Sequence, residues 1–176
     1  MEKRIIVIED DPLYRRLIKE YLKESKFIID HAAYVQEAIK KIEKDKYDLI
    51  ISDLRLPDSS GRKIVEFVAQ HSNIIPIIIM TAYPDIGEAI ELMKLGIFDY
   101  LTKPIDRIKL LLTIEKAFHV KELVNQKKEL EVKGFEVFVP QLPKAGSPRI
   151  RNWVPKLAEV VGTADENTYF VGHSMG

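Results

Sequence analysis

Short apolar runs break off at polar residues along the first part of the chain, and between them apolar side chains recur at helical intervals. The runs are Ile5-Ile6-Val7-Ile8, Phe27-Ile28-Ile29, Tyr47 to Ser52, Pro76 to Met80 and Phe98 to Thr102. They are rich in β-branched residues and lack the strict alternation of a half-solvated sheet, which suits strands buried on both faces. The stretches between them carry helix-period stripes. Leu13, Leu17, Ile18, Tyr21 and Leu22 form the first; Val35, Ala38, Ile39 and Ile42 the second; Ile64, Val65, Phe67 and Val68 the third. Ile86, Ala89, Ile90 and Met93 form the fourth, and Ile108, Leu111, Leu112 and Ile114 open a long fifth helix near Asp106.

The punctuation agrees with this reading. Asp11 is placed to cap the first helix with Pro12 at its first position. Gly61 opens the third helix, Asp85 and Glu88 have capping-box spacing, and Gly96 is placed to close the fourth. Strands alternating with helices predict an α/β fold with a parallel sheet covered on both faces.

Beyond Phe118 the apolar stripe thins to Val120, Leu123, Val124 and Leu130 among many charges. Residues 1–121 are therefore read as one domain, 122–132 as a helical extension or linker, and 133–176 as a separate strand-helix-strand segment. Its first strand is Lys133 to Pro140. Its helix starts at Ser147-Pro148 and carries Ile150, Trp153, Val154, Leu157 and Val161; its second strand is Thr168 to Val171. Such a unit cannot bury its apolar face alone. It is expected to dock on a sheet edge, its own or that of a neighbour by exchange. The helical extension reads equally as a solvated helix end or as a short coiled coil joining a homodimer.

Composition narrows the classes. The 176 residues carry 27 basic and 27 acidic side chains, so nothing global points to nucleic acid or an anionic membrane. Cysteine is absent, no apolar run approaches the ~20 residues of a membrane span, and the N-terminus enters a strand directly without a signal-like segment. A cytoplasmic protein is expected. His31, His71 and His119 have no second ligand at metal spacing and read as surface or satisfied histidines. Arg15, Arg16, Lys40 and Lys41 read as solvated helix faces.

The candidate chemistry lies where the strands end. The first brings Glu9 and Asp10, the third Asp53, the fourth Thr81 and the fifth Lys103. In open α/β sheets, ligands gather at the carboxyl ends of the strands. Three converging carboxylates call for a cation, and an oxygen-only donor set suits Mg²⁺. A cation beside a carboxylate, with a hydroxyl and an ammonium nearby, is also what a transferring phosphoryl group needs.

The runs Val7-Ile8-Glu9-Asp10-Asp11-Pro12, Asp53-Leu54-Arg55-Leu56-Pro57 with Gly61, Met80-Thr81-Ala82, and Tyr100-Leu101-Thr102-Lys103-Pro104 together resemble a response-regulator receiver domain of the CheY-like family, in its NtrC-type branch. The resemblance implies a flavodoxin-like, doubly wound five-stranded sheet of order 2-1-3-4-5. It implies Asp53 as phospho-acceptor, with Mg²⁺ held by Asp10 and Asp53 directly, by Glu9 through water and by the backbone carbonyl of Arg55. Thr81, Ala82 and Tyr100 would form the switch, Lys103 would contact the phosphoryl group, and the Lys103-Pro104 bond would be cis. The implied partner is a histidine kinase or phosphotransfer protein. The protein would be a self-modifying switch, not a turnover enzyme.

The final Gly172-His173-Ser174-Met175-Gly176 has the form of a nucleophile elbow. With the preceding strand-helix-strand it resembles a piece of an α/β-hydrolase, similar to small serine hydrolases related to retinoblastoma-binding protein 9. The acid, the histidine and the oxyanion segment of that family are not in this sequence, so Ser174 is read as a vestigial nucleophile without activity. The change of family along the chain suggests a fusion or chimera.

Overall fold

The computed structural model describes residues 2–71 and 75–134, with residues 137, 159 and 168 besides. The chain divides into two compact units, Met1–Gln126 and Lys127–Gly176. The predicted elements of 133–176 lie almost wholly outside the described residues.

In the first unit strands β1 (Lys3–Ile8), β2 (Phe27–Ala32), β3 (Leu49–Asp53), β4 (Ile77–Thr81) and β5 (Asp99–Thr102) alternate with helices. The helices are α1 (Pro12–Tyr21), α2 (Val35–Lys44), α3 (Arg62–Gln70), α4 (Ile86–Lys94) and α5 (Arg107–Val132), whose last residues lie past the division at Gln126. The five strands pair in parallel in the order β2-β1-β3-β4-β5, the expected flavodoxin-like order. Sequence order reverses beside β1, between β2 and β3, so the carboxyl ends of β1 and β3 flank the crevice where such folds bind ligands. The register sets Ile8 opposite Ser52 and Asp53 opposite Met80, which brings the polar strand ends to one edge.

Both faces of the sheet are apolar, as the unbroken runs predict. Ile6, Ile8, Ile50, Ile77 and Ile79 pack with Val35, Ala38, Ile42, Ile64, Val65 and Val68 on one side. Ile5, Val7, Ile51, Ile78 and Met80 pack with Ile18, Leu22, Leu110, Ile114 and Ala117 on the other. Some predicted stripe residues are not core. Leu13 is 76% exposed, because the inward face of α1 is set by Ile18 and Leu22 and Leu13 lies about 140° around the helix from Ile18. Ile108 and Leu112 are likewise exposed, since α5 turns Leu110, Ile114 and Ala117 inward and residues two apart point to opposite sides. On α4, Leu92 is buried while Ile86, Ile90 and Met93 are exposed.

The caps form as read. Asp11 accepts from the Leu13 N–H at 2.8 Å, Asp85 from the Glu88 N–H at 2.7 Å, and Gly96 follows α4 with φ +97°. Helix α2 is different. Its N-cap Tyr34 offers no side-chain hydrogen bond, and Asp58, in the loop after β3, accepts instead from the N–H groups of Val35 (3.0 Å) and Gln36 (3.1 Å). Among the described residues no helix is long and apolar enough to cross a membrane.

Candidate functional site

Glu9 follows β1 as the chain turns toward α1, and its carboxylate is buried (1% exposed). Asp53 is the last residue of β3, also buried, while Asp10 beside Glu9 is exposed. One carboxylate oxygen from each of Glu9, Asp10 and Asp53 lies within 4.8 Å of the others. The sequence asks for a cation among these acids, and in this structure an ammonium supplies one. Lys103 Nζ donates to Glu9 Oε2 at 2.6 Å and to Asp53 Oδ2 at 2.5 Å. Lys103 follows β5, its N–H bonded to the Thr81 carbonyl at 2.7 Å, and its bond to Pro104 is cis.

The charge states follow from burial and pairing. Burial raises the Glu9 carboxyl above its ordinary value, against the downward pull of Lys103. For Lys103 burial acts to lower the value, but the bonds to Asp53 and Glu9 outweigh it and hold the ammonium above its usual range.

Asp53 is held from two further directions. The Arg55 N–H donates to its Oδ1 at 2.9 Å, which fixes the rotation of the carboxylate. Gly61 packs on its carbonyl, which accepts a hydrogen bond from buried Ser52 at 2.9 Å. The Arg55 side chain reaches Glu88 at 3.4 Å.

Thr81 is fully buried, and its hydroxyl pairs within its own loop, accepting from the Tyr83 N–H at 3.1 Å. Tyr100 is half-buried against the core, with a buried hydroxyl that has no hydrogen-bond partner. Beside it a groove of about 630 Å³ is lined by Ile86, Ile90, Met93, Tyr100 and Thr102. The structure thus joins Glu9, Asp10, Asp53 and Lys103 directly, and sets Thr81 and Tyr100 on the adjoining strands β4 and β5. Ser174 lies outside the described residues.

Two expectations are corrected. Arg15 is not a solvated helix residue: its Nη1 donates to the Glu9 carbonyl at 2.6 Å and to the Asp10 carbonyl at 2.9 Å, clamping the turn that carries both acids. Lys41 likewise donates to the His31 carbonyl and pairs with Glu37 at 2.8 Å. His31 is half-buried, and its Nδ1 is buried without a hydrogen-bond partner, so it is not a satisfied histidine; His71 is satisfied by the Phe67 carbonyl at 2.8 Å. Sequence pattern does not single out Tyr14, yet the Lys103 ammonium sits 4.2 Å from the centroid of its ring. A usable signal existed, since residues in the first turn after a capped acid pair stay within reach of that pair.

A parallel α/β sheet with an acid cluster and a lysine at its carboxyl edge defines a receiver-type signalling module. The sequence matches the response regulator receiver domain over residues 5–115, and the chain belongs to that family. It is 35% identical over 104 residues to the response regulator protein PilR of Pseudomonas aeruginosa, covering 59% of this chain and 23% of that protein. With the transcriptional regulator NtrC of Proteus hauseri it shares 29% over 117 residues, 66% of this chain and 25% of that one. The chain thus spans about a quarter of the length of these relatives. Among solved structures it resembles the signal receiver domain of a LuxO-type repressor from Vibrio parahaemolyticus (TM-score 0.70, 31% identity, 72% of this chain and 97% of that one). It also resembles the beryllofluoride-activated NtrC4 receiver domain dimer (TM-score 0.63, 28% identity, 66% and 96%).

Proposed function

We propose that the chain accepts a phosphoryl group on Asp53 from a histidine kinase or phosphotransfer partner, in a Mg²⁺-dependent reaction, and changes its surface in consequence. The observation that carries this reading is the simultaneous reach of Lys103 to Glu9 and Asp53 at the carboxyl edge of the sheet. The donor set fits a hard divalent ion: carboxylate oxygens of Glu9, Asp10 and Asp53 would hold it, and the Arg55 carbonyl would add a further oxygen, as the family resemblance implies. Mg²⁺ bound there supplies positive charge that offsets the phosphoryl oxygens.

The chain's own residues supply the rest. A carboxylate oxygen of Asp53 forms the new O–P bond as the donor's P–N bond breaks, and that electron pair returns to the imidazole, leaving an acyl phosphate on the protein. The Arg55 N–H orients the carboxylate, and the Lys103 ammonium offsets charge on the transferred group. The added group brings about −1.5 to −2 charge and three acceptors. It draws the Thr81 hydroxyl out of its pairing with Tyr83, and Ala82 moves with it. Tyr100 and the groove along α4 then report the change to partners. The NtrC4 receiver dimer supports a second copy of this chain as one such partner. The reading places the protein in the cytoplasm and assigns no hydrolytic step to Ser174.

Intact-protein mass spectrometry tests this. Incubation with acetyl phosphate and Mg²⁺ should add one phosphoryl group, lost on hydroxylamine treatment and absent in Asp53→Asn. Absence of an adduct on the parent protein, or an adduct retained by the variant, overturns the assignment.

A further inference from the structure

The acid cluster holds its own cation, and that cation rests on an aromatic face. Lys103 is 9% exposed on its side chain, and its ammonium spends two hydrogen bonds on Glu9 and Asp53. Its nitrogen lies 4.2 Å from the centroid of the Tyr14 ring, within the range where a cation is attracted to the electron-rich face. Tyr14 is half-buried against the core cluster that contains Leu101 and Ile105, the residues flanking the Lys103 loop.

The ring is also rigidly placed. It sits one turn into α1, after the Asp11 cap at 2.8 Å and immediately before Arg15, whose guanidinium ties the same turn to the Glu9 and Asp10 carbonyls. The seat and the acids therefore belong to one fixed piece of backbone, and the lysine reaches them from β5.

We propose that Tyr14 is a positioning residue for Lys103: its ring face seats the ammonium in the acid cluster and so strengthens the internal competitor that an incoming divalent cation must displace. This rests on the Mg²⁺ site proposed above. Lys103 bonds to two of the three carboxylates that would hold the metal. Whatever stabilises the lysine-filled state weakens apparent metal affinity by the same factor, because the two cations draw on one set of oxygens. The contact uses the ring and not the hydroxyl, so phenylalanine preserves it and leucine abolishes it.

The sign of the effect separates this role from a structural one. Loss of a residue that merely supports the acids weakens metal binding, whereas loss of the seat tightens it. Magnesium titrations of the full chain, followed by backbone amide chemical shifts at Asp10, Asp53 and Arg55, give the affinity without any phosphorylation. Tyr14→Leu should bind Mg²⁺ roughly two- to thirtyfold more tightly, the span of a cation–π contact between its exposed and desolvated limits. Tyr14→Phe should match the parent protein.

An unchanged or weaker affinity in a folded Tyr14→Leu, or a Tyr14→Phe that behaves like the leucine variant, overturns the proposal. A second measurement needs no variant. In the metal-free parent protein the Lys103 ε-methylene protons should be shifted upfield by the ring current of Tyr14, and ordinary shifts there overturn the seat even if Tyr14→Leu does not fold. A parent protein with no Mg²⁺ response at all refutes the metal reading of the site, and the seat is then decided by the ring-current shift alone.

Discussion

Gly61 is required by space and not by backbone conformation, which makes it a sharp test of the packing under Asp53. Its φ of −55° and ψ of −17° suit any residue. A Cβ built there would stand 2.2 Å from the Asp53 carbonyl oxygen and 3.0 Å from Ser52 Oγ. An ordinary C···O contact is about 3.3 Å, so β3 and the start of α3 must part by about 1 Å. The obstacle is main chain, which cannot swing aside as a side-chain tip does. Overpacking of this kind costs ~1–3 kcal/mol, against ~0.4–1 kcal/mol gained by stiffening the unfolded chain. Gly61→Ala should therefore lose about 1–2 kcal/mol. Two other glycines serve as controls. Gly96, at φ +97° with open space around it, should lose about 1 kcal/mol from the left-handed conformation alone. Gly87, within α4, would meet Asp85 Oδ1 at 3.3 Å, the atom that caps the Glu88 N–H, so the ~0.5 kcal/mol of helix propensity is offset and stability should stay near that of the parent. Urea unfolding followed by far-ultraviolet circular dichroism should rank the alanine variants Gly87 above Gly96, and Gly96 above Gly61. A Gly61→Ala protein as stable as the parent would refute the reasoning, because no arrangement of side chains relieves that contact.

Other predictions concern charge. Asp58→Ala removes the cap of α2 and should cost ~1 kcal/mol at neutral pH. Burial acts to raise the Asp58 carboxyl, but the N–H groups of Val35 and Gln36 prevail and hold it below its usual value. Its contribution is thus present above the unfolded value and lost as pH falls through the folded one, so the gap between parent and variant should close in acid urea melts. Lys103→Met leaves Glu9 and Asp53 buried without their ammonium and should cost ~3–5 kcal/mol near pH 7.5. Glu9 already sits above its ordinary value, so stability conferred by its protonated form is retained below that value and lost as pH rises; the variant's deficit should be smaller at pH 5 in paired thermal melts. Arg15→Met frees the Glu9 and Asp10 carbonyls and should speed amide exchange across residues 9–13 by roughly tenfold, with Arg15→Lys intermediate.

Much of this molecule was legible before its structure. The uninterrupted Ile5–Ile8 and Leu49–Ile51 runs imply strands covered on both sides, and that implies a parallel sheet with polar residues delivered to one edge. Asp11 with Pro12, and Asp85 with Glu88, announced their helices because a cap and its recipient lie within one turn. What stayed hidden is what depends on contacts between distant segments. The cap of α2 comes from Asp58, and nothing local to Tyr34 announces it. Arg15 looked like any charged residue on a half-polar helix until the fold brought backbone carbonyls within its reach. Leu13 and Ile108 looked like core because hydropathy marks them as apolar without saying which way a helix is turned. The acids and Lys103 were visible as residues at strand ends, but that the lysine would occupy the acid cluster itself is a matter of side-chain reach.

The Asp58 cap has a consequence for how the chain is made. The first turn of α2 is held by a residue more than twenty positions further along, beyond all of β3. During synthesis α2 emerges well before its capping carboxylate, and its N–H groups stay with water until β3 has docked and the following loop has turned back. A short helix without its cap is marginal in water. Nascent chains arrested before Asp58 should accordingly show α2 unprotected from exchange, and its protection should arise together with the arrival of the loop that follows Asp53.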